Sequence, residues 1–424
     1  MNNQNRPWWQ RIGLTLQILI ALVLAVIVGS LLKGSSEDFI DKLVLPSTLV
    51  FQAMQALAIP LVFVVSVSNL FTGKVFRRGN LHLLPSLFIN TTIAAVIGLL
   101  ITQLTHPGIV EQLPGAVKES YSKCVNINGW LDIIKNLVPE TSLLQSFAEN
   151  NVIQIMVISL CLGIAFQTIR EEEIKKITEQ ELEKEDSTFL ALDRVLKFSK
   201  EVAVRILGWV IALLPLAVFG FVTQMIARNE FAKFQSLVFY VLAVLFALLL
   251  QICYYLIRLK ISSRVGVKTF LMKGKDTFLT AFGTASSNVT ANRANEVLQS
   301  MGLRKSSAVL GGFVVQRINK DGTALHLVMT ALYVSQLQGL DLNIPQLFLV
   351  VVTSIFVSTS TAGIPSAGLV TMTLVFSSVC LNSDYIALIS TVYWALDSSC
   401  TVVNVMGNMT FAALVDAKQK VSHS

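Results

Sequence analysis

Four ionisable residues, Arg317, Lys320, Asp321 and His326, stand in Val314–Met329 (VVQRINKDGTALHLVM), inside an otherwise apolar run from Ala308 to Val334. A fifth, Asp397, lies in a similar mixture, YWALDSSCTVVNVMGN. At a bilayer centre an Arg, Lys or Asp costs roughly 2.5–3.5 kcal/mol on insertion scales. Such residues persist there when they face one another or a polar cleft rather than lipid. The chemistry open to them is binding: a carboxylate for an ammonium group or a cation, a lysine or arginine for a carboxylate. No nucleophile–base pair, metal cluster or phosphate loop accompanies them, so an enzyme is not expected.

The elements that hold these residues must lie in a membrane. The 424-residue chain is 53% hydrophobic and 14% charged, a poor composition for a soluble domain. Apolar runs of about the 20 residues a helical span needs recur at Leu14–Leu32, Leu43–Leu70, Leu83–Leu104, Val152–Phe166, Val202–Val222 and Leu237–Leu259. The first follows Arg6 and Arg11 but lacks a small-x-small cleavage site, and reads as a retained span rather than a signal peptide. The net charge of +7 is spread over alternate connections, which excludes nucleic acid as the expected partner. Arg6 and Arg11, then Lys74, Arg77 and Arg78, then Arg258, Lys260, Arg264, Lys268, Lys273 and Lys275 mark every second loop. With Lys418 and Lys420 they place both termini in the cytoplasm, in a multi-pass protein of the plasma (inner) membrane. By the same rule the break His106–Ser142 lies outside and Arg170–Lys200 inside, the latter a solvated helix or loop. The five cysteines form no paired spacing, so neither a disulfide framework nor a zinc site is expected, and all but Cys400 read as packing residues.

The chain divides into unlike halves. Residues 1–260 read as six ordinary spans. In 261–424 the runs are shorter and broken: a hairpin at about 270–298 with the tip TASSNVT, a broken helix at about 304–337, a second hairpin at about 346–381 with the tip STSTAGIPSAG, and a last helix at about 385–416. Neither arm of a hairpin could cross a bilayer alone, and irregular backbone at that depth must be buried in protein or line a cavity. A hairpin followed by an acid-bearing helix, twice over, is the hydropathy mark of repeats in a secondary transporter. The expected fold is an all-α membrane protein of eight transmembrane helices plus two re-entrant hairpins with inverted-repeat character.

INKDGTAL resembles the broken-helix motif of the glutamate transporter family, the dicarboxylate/amino acid:cation symporters, where the usual form is Asn-Met-Asp-Gly-Thr. TASSNVT and STSTAGIPSAG resemble its two hairpin tips, DSSCTVVNVMGN its last helix, and ALAIPLVF its second span. The resemblance implies an elevator-type homotrimer, in which residues 1–260 are mostly scaffold and trimer contacts with part of the transport unit, and 261–424 are the transport core that carries an amino acid or dicarboxylate. It places the substrate ammonium on Asp397. The α-carboxylate falls to Ser287, Asn404 and the backbone of the tips, at Ser286, Ala362, Gly363 and Pro365, with Thr323 and Thr401 lining the pocket. Sodium would be held around Asn319, Asp321, Asn404 and Asn408 and near Ser358, Thr359 and Thr361. No organic cofactor is implied.

The departures bear on specificity. Where members for acidic substrates carry an arginine, this chain has Cys400, and a thiol cannot grip a carboxylate bidentately. Small neutral amino acids are therefore the first expectation, and glutamate, aspartate or C4-dicarboxylates the alternative. Asn408 replaces the final aspartate of the cation site, which weakens it for a hard cation. Arg317 and Lys320 stand close to the expected ions. The i to i+4 spacing of Arg317 and Asp321 puts them on one helical face, so the two cations are expected to balance Asp321 and Asp397 as tethered substitutes for sodium. His326 is read first as a hydrogen-bonded packing residue and second as a carrier of a coupled proton. The altered ion positions also leave open a solute sensor that binds without flux.

Overall fold

The structure, a computed structural model, describes residues 13–72, 84–109, 129–139, 142–180, 188–228, 231–361, 363 and 365–421. The orientation markers Arg6, Arg11, Lys74, Arg77 and Arg78, together with Ala362 and Cys124, lie outside them. Among the described residues the chain is helical, without strands. The first half comprises α1 (Leu14–Leu31), α2 (Glu37–Thr72), α3 (Leu84–Thr105), the short α4 (Trp130–Lys135) and α5 (Leu143–Ala148), α6 (Val152–Gln180), α7 (Thr188–Ala212), α8 (Leu214–Ala227) and α9 (Phe231–Ser262). The second comprises α10 (Val267–Thr284), α11 (Ser287–Ser300), α12 (Lys305–Val309), a π turn (Leu310–Val314), a 3-10 turn (Val315–Arg317), α13 (Asp321–Leu337), α14 (Ile344–Thr359), α15 (Ala367–Ser378) and α16 (Tyr385–Val421).

Six of these helices are long and apolar enough to cross a membrane, seven when α7 and α8 are taken as one bent span. Their outer faces are apolar: α1 exposes Leu16, Ile20, Val23, Leu24 and Ile27, and α9 exposes Phe239, Leu242, Phe246 and Leu249. Lipid, not water, suits such faces, and the chain is an integral membrane protein. The expected span Val202–Val222 falls across two helices. The chain bends by 41° between α7 and α8, where Pro215 lacks the N–H that would continue the preceding turn. Helix also fills much of the break Arg170–Lys200, since α6 runs to Gln180 and α7 starts at Thr188. Hydropathy marks membrane depth rather than helix ends, so the polar continuations escape it.

In the second half, α10 packs on α11 and α14 on α15, each pair joined by an irregular tip. At the first tip Ala285 takes the left-handed region (φ +46); at the second, Gly363 (φ +70) and Ser366 (φ +62) do. Between the pairs the chain passes through the π and 3-10 turns and enters α13, whose residues from Asp321 to Ser335 are all buried, against α3, α14 and α16. A helix buried on every side belongs to a protein interior. The approach of α13 to α16 is backbone to backbone: a side chain on Gly322 would come within 2.6 Å of the Cys400 carbonyl oxygen.

The expectation of unpaired cysteines is also corrected. Cys161, Cys253 and Cys400 are free, but Cys380, just after α15, is disulfide-bonded. Its partner lies outside the described residues. Spacing along the chain carries no trace of a bond made between distant segments.

Candidate functional site

The two tips meet. Ser286 Oγ donates to the Gly363 carbonyl oxygen at 2.9 Å, and Asn288 Nδ2 reaches the same oxygen at 3.4 Å. Gln316, one residue before Arg317, donates to Asn288 Oδ1 at 3.3 Å. The contact demands a glycine: beyond its positive φ, a Cβ at Gly363 would stand 2.8 Å from Asn288 Nδ2. Pro365 is exposed in the turn that follows.

Beside this contact lie one cation and one acid. Lys320 is 4% exposed, and its Nζ donates to Ser287 Oγ at the first turn of α11. Asp397 Oδ2 accepts the Ser366 backbone N–H of the second tip at 2.9 Å, and Oδ1 accepts the Tyr393 hydroxyl at 3.3 Å. Lys320 and Asp397 form no ion pair among the described residues. The broken helix thus sends an ammonium to the first tip, and α16 sends a carboxylate to the second.

A second cluster surrounds Asp321. Thr91 of α3 donates to Oδ1 at 2.6 Å; Tyr255 of α9 and Asn319 donate to Oδ2 at 2.5 and 3.1 Å. Asn319 Nδ2 also reaches Asn408 Oδ1 at 3.1 Å. Asp321 is the first residue of α13, where a helix favours negative charge. Asn404, from α16, supplies the cap: its Oδ1 accepts the N–H of Gly322 at 2.8 Å and of Thr323 at 3.4 Å, and its Nδ2 donates to Thr323 Oγ1 at 3.0 Å. The oxygens of Asp321, Asn319 and Asn408 are of the hard type that alkali cations take, and the carboxylate oxygens already accept protein donors.

Other expected residues spend their hydroxyls locally. Ser358 bonds Ile355 O, Thr359 bonds Phe356 O and Thr361 bonds Val357 O, each on its own helix or tip. Thr401 bonds Asp397 O, and Cys400 is buried and free. Arg317 is a correction. Its side chain is exposed, and neither it nor Lys320 forms an ion pair among the described residues. The i to i+4 argument presumed one continuous helix, whereas the 3-10 turn ends at Arg317 and α13 begins at Asp321. His326 bonds the Tyr240 hydroxyl at 2.9 Å, deep among aromatic rings, as a packing histidine does.

Thr91, Tyr255 and Tyr393 were not foreseen. Tyr393 stands four residues before Asp397, a same-face spacing on a helix that could have found it. Thr91 sits in the polar break Asn90–Thr92 of an apolar run, a visible signal with no indication of its partner.

Residues 14–418 match the Sodium:dicarboxylate symporter family. Among similar proteins, mouse excitatory amino acid transporter 3 is 24% identical, over 96% of this chain and 86% of its own length. The proton/glutamate-aspartate symporter of Escherichia coli is 26% identical over 96% and 93%. C4-dicarboxylate transport protein 1 of Pseudomonas aeruginosa is 25% identical over 93% and 85%.

Proposed function

This chain belongs to the sodium:dicarboxylate symporter family, and from that premise we propose that it is a secondary active transporter of small neutral amino acids, bound between the two tips. That the chain is a transporter and not an enzyme follows from the family and its named members. The observation that carries the solute class is the pairing of Lys320 on Ser287 with Asp397 on Ser366. One buried ammonium and one carboxylate, each hydrogen-bonded to a different tip, complement a zwitterion without net charge. Lys320 takes the solute carboxylate together with Ser287; Asp397 takes the ammonium. Cys400 offers no grip for a side-chain carboxylate, and the exposed Arg317 does not replace one.

Coupling to sodium is reduced in this reading. Asp321 is satisfied by three protein donors, and a neutral pair at the tips has less need of an added cation. The α10–α11 and α14–α15 pairs act as re-entrant hairpins. Residues 261–424 move as the transport core, together with part of residues 1–260, against a scaffold formed by the rest of the first six spans, within a homotrimer whose termini face the cytoplasm.

The test is uptake into proteoliposomes, with neutral and acidic amino acids and C4-dicarboxylates as competitors, with and without a sodium gradient. Serine, alanine, threonine or cysteine should compete best, with little sodium dependence. The alternative solutes, glutamate, aspartate or a C4-dicarboxylate, are favoured by the names of the relatives and by the buried Lys320 ammonium. Competition by those alone would overturn the zwitterion reading, and a steep sodium requirement would overturn reduced coupling.

A further inference from the structure

A third polar cluster lies where the two halves of the chain touch. The last residue of α14, Thr359, and the last residue of the 3-10 turn, Arg317, each present a backbone carbonyl at the end of a helical segment. Such carbonyls find no acceptor role within their own helix, and each end carries partial negative charge. Both are served by one side chain from the first half: Asn69 Nδ2 donates to Thr359 O at 3.0 Å and to Arg317 O at 3.2 Å. Asn69 is 5% exposed. Its Oδ1 accepts Lys200 Nζ of α7 at 3.1 Å. Three residues earlier on α2, Ser66 Oγ shares a hydrogen bond with Ser360 Oγ, directly beyond α14.

The charges around this cluster are one-sided. Lys200 forms no ion pair among the described residues, and the residue it shares Asn69 with, Arg317, is a cation too. Lys200 is held instead by an amide, whose N–H in turn faces two carbonyls. In broken-helix transporters, carbonyls at half-helix C-terminal ends are where coupling cations are coordinated. Here a donor already stands between them.

We propose that Asn69, polarised by Lys200, is a built-in substitute for a cation at these two helix ends. It pins the end of α14 to the broken helix as a bound alkali ion would, but from α2 and α7. The clasp therefore exists only while the first half faces the second tip. Once α14 shifts away from α2, Thr359 O and Arg317 O need a new partner, and an alkali cation then fits. This deepens the reading of reduced sodium coupling and rests on it only in naming the ion.

The experiment is hydrogen–deuterium exchange on the purified full-length protein in nanodiscs, following peptides over residues 352–366 in sodium chloride and in choline chloride of equal ionic strength. Wild type should exchange alike in both salts. Asn69→Ala should exchange roughly tenfold faster in choline, through the loss of two hydrogen bonds, and sodium should restore most of the protection. Lys200→Gln keeps the fold under less demand and should show the same pattern, weaker. Peptides from α13 should not change. Sodium protecting the wild type as much as the variants, or no sodium response in either variant, overturns the proposal. Because the readout is exchange rather than uptake, a wrong solute assignment leaves the result intact.

Discussion

Asp321 and Asp397 are both acids of the second half, yet their surroundings differ. Asp321 is fully buried and receives donors from Thr91, Tyr255 and Asn319, on α3, α9 and the broken helix. Asp397 is half-buried and holds two donors, Tyr393 on its own helix and the Ser366 N–H of the second tip. An acid tied to three separate segments is part of the framework, because moving any one of them leaves a buried donor without a partner. An acid held partly by a tip can exchange that donor for a ligand. In the proposed reading Asp321 is an anchor and Asp397 a recognition group, and the donors, more than the burial, distinguish them.

Removing the anchor should have the largest effect. Asp321→Ala takes the acceptor from the buried Tyr255 hydroxyl, while Thr91 and Asn319 fall back on Leu87 O and Asn408 Oδ1. At about 1–3 kcal/mol for a buried donor left unpaired, it should lower both the melting temperature and the monodisperse yield in size-exclusion profiles after detergent extraction. Unchanged yield and melting temperature would break the contrast. Asp397→Asn should leave the fold in place but weaken amino-acid binding by roughly 30- to 3000-fold, since loss of one partner in a buried charged contact costs about 2–5 kcal/mol. Thermal shift against ligand concentration separates these outcomes. Lys320→Met comes next: loss of a charged hydrogen bond of about 1.5–3 kcal/mol lowers affinity for the solute carboxylate by roughly 10- to 150-fold, seen as a raised half-saturation concentration in uptake. Cys400→Arg is the mildest. It should shift the ratio of acidic to neutral uptake by about tenfold, the equivalent of 1.4 kcal/mol; no shift would separate Cys400 from the pocket.

Much of this arrangement was visible in the residues. The helix breaks were legible because Ser, Thr and Asn interrupt apolar runs at Thr284–Thr290 and Ser358–Gly368, and helices end and restart there. The acids were legible because charge inside an apolar run has few explanations. Arg317 was misjudged because a spacing argument assumes the helix it is applied to, and the π and 3-10 turns interrupt that helix. Partners were not legible at all. Asn69 meets residues 248 and 290 positions away, and such a pairing leaves no local pattern in either segment. The disulfide at Cys380 was hidden for the same reason.

The backbone at Ser366 joins two events that could otherwise be separate. Its N–H points at Asp397 while φ stays at +62°, a torsion that a non-glycine residue holds at a cost. Relaxing to negative φ swings that N–H off the carboxylate, so undocking of the second loop and release of a lone pair on the last helix become one rotation. A glycine at that position would decouple their timing, letting the loop lift before the acid is free to receive an ammonium.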